Sequence, residues 1–318
     1  MPAILLAISL TYIEGVFAYT QDEINRIRDV IADSERGSNT GAGYAQLVGF
    51  VTDPDVTGIT LYGDEEPENR FDIYKFPLLL NNGSIESWDY YFRGGLNYAT
   101  FESDNILVGL PSSDNLDTKY TAYSGALGLV LKRPISQNWN FAMGLDVGLA
   151  RFENDSDYKG LIEELAPFVD NLMFNWSTNA RLGSLVAGLE YRQDYGNLDL
   201  ASSVHYIHSY ISSFAESGDF VGFKENTDTL HLAADLHQPL GLIGENFPIS
   251  GIVHLGNITF MGDNRDALGF SSLWSFGYAL QLAIDNTDRE AQSLKLGLNY
   301  LKGDNQYHGY EIVFGFHY

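Results

Sequence analysis

The chain has 318 residues, no cysteine and a formal net charge of −24, which excludes a disulfide framework, a thiolate metal site and a basic surface for nucleic acid. After the N-terminus no stretch approaches the roughly twenty apolar residues of a membrane helix, so a helical membrane protein is excluded as well. Tyrosine, phenylalanine and glycine are abundant, at 20, 19 and 32 residues.

In chain order, the first element is an apolar run from Ala3 to Leu10 followed by Val16-Phe17-Ala18, small residues at the positions a signal peptidase reads. Residues 1–18 therefore read as a signal peptide, although no Lys or Arg precedes the apolar run and Glu14 lies near its end. Thr20-Gln21-Asp22-Glu23 is a capping box, and Ile24, Ile27, Val30 and Ile31 follow at helical spacing, which predicts a helix over Gln21 to Ser34. Residues 19–42 form this helix and its linker, and from residue 43 to 318 the period of the pattern is two.

Two stripes show that period well. Trp139, Phe141, Met143, Leu145, Val147 and Leu149 alternate with Asn140, Ala142, Gly144, Asp146, Gly148 and Ala150; Trp274, Phe276, Tyr278, Leu280 and Leu282 alternate with Ser275, Gly277, Ala279 and Gln281. One face is large and apolar, the other small and polar. A soluble sandwich would place long charged side chains on its polar face, whereas small residues suit a crowded, wet lumen. Polar lumen candidates are Asp89, Arg93, Asp146, His231, Asp235, Lys295 and Glu311.

Twelve strands are predicted near 43–52, 70–80, 87–102, 118–132, 139–152, 173–192, 197–212, 227–238, 249–262, 271–285, 291–302 and 308–318. Residues 53–69, 103–117, 153–172 and 213–226 read as long outer loops; NNGSIE, PISQN and DYGN read as short periplasmic turns. QPLGLIGENFP is long for such a turn. The chain closes on YEIVFGFHY, with Tyr310, Ile312, Phe314, Phe316 and Tyr318 on one face. An edge strand that apolar invites aggregation, and closure removes the edge. The fold class is therefore all-β: a closed antiparallel transmembrane barrel of the bacterial outer membrane, preceded by one short helix. Outer-membrane lipid and lipopolysaccharide are the expected surroundings, the barrel-assembly machinery is expected to read the closing strand, and the barrel is expected to be a monomer without cofactor or metal.

The capped helix before the first strand, the LMFNWSTNA stretch and the closing YEIVFGFHY resemble the translocator domain of autotransporters, in its solitary form without a large passenger. That resemblance implies a helix inside the pore, formed here by Ile24, Arg26, Ile27, Arg28 and Ile31. Arg26 and Arg28 could then meet Asp89, Asp146 or Asp235. A periplasmic helix is the alternative.

An enzyme is not expected. His205 and Ser209 share a face four residues apart, while His208 points the other way, and no motif of the outer-membrane phospholipase or deacylase kind is present. Glu153, Asp155, Asp157 and Glu164 fall at calcium-loop spacings, but Tyr158 stands where the turn needs glycine. The function expected is a non-catalytic outer-membrane barrel occluded by its helix; the alternatives are a twelve-stranded channel for small solutes and a surface hydrolase.

Overall fold

A computed structural model describes residues 21–22, 24–26, 28–29, 56–63, 69–103, 115–220, 222–243, 247–262, 265, 269–283 and 293–317. The described strands are β1 (Val56–Tyr62), β2 (Asn69–Ile85), β3 (Trp88–Ser103), β4 (Asn115–Pro134), β5 (Trp139–Lys159), β6 (Trp176–Asp194), β7 (Asp199–Phe214), β8 (Lys224–Ile243), β9 (Phe247–Gly262), β10 (Ser272–Ala283), β11 (Ser293–Gly303) and β12 (His308–His317). Each pairs antiparallel with its sequence neighbours, and β1 closes on β12 from Val56 opposite Phe314 to Tyr62 opposite His308. Closure pairs the first described strand with the last, as the hydrocarbon core of a membrane requires because it offers backbone groups no hydrogen bonds.

Alternation decides which face meets lipid. On β5, Met143, Leu145, Val147 and Leu149 are exposed on the outside while Ala142 and Ala150 are buried inside. Aromatic residues bound this belt. Trp139 packs on Tyr191 at 4.9 Å near the end where residues 135–138 and 195–198 make short connections, the periplasmic end; Tyr98 packs on Tyr123 at 5.2 Å near the opposite, outer end.

Above the outer girdle the alternation inverts. The outward positions become charged and pair with one another, as in Lys119 with Glu102 at 2.6 Å, Lys159 with Asp117 at 2.6 Å and Arg70 with Asp72 at 2.8 Å. The inward positions become apolar: Phe71, Ile73, Phe101, Tyr120 and Phe152 are all buried. Within the membrane the barrel is apolar outside and polar inside. At its outer end it is built like a soluble protein, because water then surrounds its outer wall.

This inversion corrects the predicted loops. β5 runs through Lys159 and β4 starts at Asn115, inside segments read as loop, because charged outward residues hide the strand period. β1 lies within the predicted loop 53–69, and β6 starts at Trp176 rather than 173. The strand expected at 43–52 falls outside the described residues. NNGSIE is not a turn: β2 continues to Ile85 past a bulge between Leu79 and Asn81, and Gly83 is needed because a Cβ there would overlap the Tyr90 ring. QPLGLIGENFP is mostly strand, with a bulge between Pro239 and Gly241 that accommodates a residue lacking an N–H donor, and only residues 244–246 lie between β8 and β9.

Candidate functional site

The lumen is the candidate site, and it has two layers. At the outer end a continuous apolar cluster fills it. Phe71 stacks on Phe101 at 4.4 Å, Phe101 on Tyr120 at 5.9 Å, and Tyr120 meets Trp176 at 6.5 Å. The connections fold in from above: Phe220 stacks on Trp176 at 3.9 Å, Phe223 meets Phe152 at 6.0 Å, and Phe270 packs edge-on against Phe71 at 6.0 Å. Phe270 precedes β10 whereas Phe71 is on β2, with β11, β12 and β1 between them, so this contact is a chord across the mouth. Ile59, Leu61, Ile211, Leu273 and Leu301 complete the cluster. Sequence reasoning missed it. The signal was Phe152 ending the small-residue face of β5 and Phe101 ending that of β3.

Below the cluster the interior is polar and its charges are paired. Arg93 and Asp146, two of the predicted lumen residues, form a forked bridge in which Nε donates to Oδ1 at 3.0 Å and Nη2 to Oδ2 at 2.7 Å. Gly128 stands between them in the ladder, and any Cβ there would collide with the Asp146 carboxylate. Lys132 and His205 flank Glu190 at 2.9 and 3.4 Å. Asn299 Nδ2 donates to Glu311 at 2.7 Å, His231 lies opposite His205, and Lys295 lies opposite Gln281. Asp89 accepts from Ser84 Oγ at 2.6 Å near the periplasmic end. Asp235 accepts from His254 Nδ1 at 2.7 Å, and His254 Nε2 lies 3.0 Å from Ser275 Oγ. Sequence reasoning named Asp235 but not its two partners, which lie on β9 and β10. A cavity of about 600 Å³ opens at the periplasmic mouth beside His237, Ser250 and Gln281.

The described part of the N-terminal helix, residues 21–22, 24–26 and 28–29, meets the outer end. Arg28 Nη1 donates to the carbonyls of Pro167 and Asp170, each at 3.0 Å, and Nη2 donates to Asp219 Oδ2 at 2.8 Å. Asp170 also accepts from Tyr158 and Asn175, and burial together with the Asp170 charge pushes the Tyr158 phenol up from its ordinary pKa. This corrects the expected partners. Arg28 does not meet Asp89, Asp146 or Asp235, which lie lower in the barrel, and Arg26 Nε turns back to the Asp22 carbonyl at 3.3 Å. Ile24 is half-buried; Ile27 and Ile31 fall outside the described residues. Glu153, Asp155 and Asp157 lie along β5, a straight strand that spreads them apart rather than a loop that gathers them. On the closing strand, Tyr310, Ile312 and Phe314 face outward as predicted, Phe316 pairs with Leu294, and Tyr318 falls outside the described residues.

A closed twelve-stranded barrel with a lipid-facing apolar belt, aromatic girdles and a paired polar lumen defines an integral outer-membrane protein. Residues 62–318 match the family described as the solitary outer membrane autotransporter beta-barrel domain, and the chain belongs to that family, whose members sit in the outer membrane of Gram-negative bacteria. Among solved structures, the transport unit of the autotransporter AIDA-I from Escherichia coli is similar, with TM-score 0.58 and 11% identity over 89% of this chain and 98% of that one. The beta domain of the Bordetella autotransporter BrkA is similar with TM-score 0.53 and 10% identity, over 83% and 97%. At such identity these likenesses show the fold. No curated protein matches the sequence.

Proposed function

We propose that this protein is an autotransporter-type barrel held closed at its outer end, with the N-terminal helix docked on the closure. The observation that carries the reading is the apolar cluster across the mouth, since ions and small solutes cross a dry layer of packed aromatic rings poorly. Arg28 supports the second half by tying the helix to two outer connections. Closure asks no chemistry of hydrocarbon side chains, so the closed-barrel role itself calls for no catalytic group. Outer-membrane lipid and lipopolysaccharide would cover the belt, and the assembly machinery would engage β12.

Conductance tests the reading against the diffusion-channel alternative. The intact protein in a planar bilayer should be silent at moderate voltage. Alanine at Phe71, Phe152 and Trp176 together should produce steady openings. A steady current through the intact barrel would favour the channel.

A further inference from the structure

The hydrogen-bond chain through Asp235, His254 and Ser275 has the distances and atom order of a nucleophilic relay. Asp235 Oδ1 lies 2.7 Å from His254 Nδ1, and His254 Nε2 lies 3.0 Å from Ser275 Oγ. An ionised carboxylate only accepts, so the His254 proton sits on Nδ1; Nε2 then keeps its lone pair for the Ser275 hydroxyl proton. We propose that these three residues form a lumen-facing nucleophilic site that takes the acyl group of small carboxylic esters. This goes beyond the closed-barrel reading and departs from the expectation of a chain without a catalytic site.

Three features support the site. First, the residues come from three successive strands whose ladders fix them, with Asp235 opposite His254 and Ser275 opposite Gly256. A rigid sheet holds such a constellation better than loops do. Second, Gly256 makes the contact possible, because a Cβ there would overlap Ser275 Oγ and come within 2.8 Å of His254 Nε2. Third, the site is reachable: the side chains of His254 and Asp235 remain 24% and 28% exposed to the lumen. The periplasmic cavity begins at His237, the next inward residue of β8, and at Ser250 and Gln281 farther along β9 and β10.

In the reaction, Ser275 Oγ bonds to the ester carbonyl carbon while its proton passes to His254 Nε2. The carbon–alkoxide bond then breaks, and the alcohol leaves with the proton from His254. Water repeats the sequence on the acyl-serine, releasing the acid and restoring Ser275. Strand N–H groups are engaged in the ladder, so a developing oxyanion has only side-chain donors to meet it. The loss of a single oxyanion-hole donor costs about 10²–10³ in rate in other enzymes, which sets the expectation at slow acylation by reactive esters rather than fast turnover.

The test uses the full folded chain in detergent with two probes, p-nitrophenyl acetate and a fluorophosphonate, and locates the adduct by peptide mass. The adduct should fall on Ser275 and be absent from the heat-unfolded chain. Ser275→Ala should abolish it. His254→Gln should slow it by about 10²-fold, the usual worth of a general base, and Gly256→Ala should slow it similarly while leaving the nucleophile in place. Ser209→Ala should leave it unchanged, since the Ser209 hydroxyl bonds to that of Ser184, at 2.7 Å, on β7 and β6 rather than on the strands of the site. A heat-modifiable gel shift reports folding of each variant. An unlabelled Ser275 in the folded parent, or labelling that is indifferent to His254→Gln in a folded barrel, would overturn the proposal and leave the three residues as a polar network. Neither result bears on conductance.

Discussion

Gly128 and Gly183 are both strand glycines, and only one is there for space. A Cβ at Gly128 would strike the Asp146 carboxylate, whereas Gly183 has nothing within 4 Å of its Cβ position. Gly128→Ala is therefore expected to lower unfolding stability by about 1–3 kcal/mol through overpacking and loss of the forked Arg93 bridge, with Gly183→Ala within about 0.5 kcal/mol of the parent. Urea midpoints in lipid vesicles compare the two. Equal effects would mean that the bridge contributes nothing. Arg93 and Asp146 were both legible in the sequence as inward residues, because the strand period gives direction. Their pairing was not, since it depends on the register of three strands.

At the scale of elements, the strands pass through two environments. Leu298 on β11 faces lipid and is 55% exposed, so Leu298→Lys should cost about 2–4 kcal/mol, depending on its depth. Phe152 faces the outer cluster and is fully buried, and Phe152→Ala should cost about 3–5 kcal/mol by leaving a cavity. Both are measured by urea unfolding in vesicles; a neutral Phe152→Ala would contradict the packed closure. The helix belongs to a different stability class. The ladder holds the barrel without it, so a chain starting at Asn39 should still fold and keep its heat-modifiable gel shift while passing more current. Failure of that chain to fold would place the helix in the barrel's core. Sequence alone placed the central part of β2 to β12 in the membrane section because lipid imposes an uninterrupted apolar stripe, but it missed β1 and the periplasmic ends of β2 and β8. It misread the outer extensions, where charged residues such as Lys119, Glu153 and Asp155 face water and resemble a loop.

For the whole molecule, the closing strand and the even strand count were readable from the alternating pattern, while the apolar cluster that fills the outer end of the lumen was not. Phe71 and Phe101 meet within one hairpin, but the contact of Phe71 with Phe270 spans the β1–β12 seam and exists only after closure. The most direct measurement exploits the absence of cysteine. Ser184→Cys places a single thiol on the inner wall, below the cluster, and a charged, membrane-impermeant thiol reagent is applied to one side at a time of vesicles with oriented barrels. A barrel closed at its outer end reacts rapidly from the periplasmic side and slowly or not at all from the outer side. Equal rates from both sides would contradict the closure.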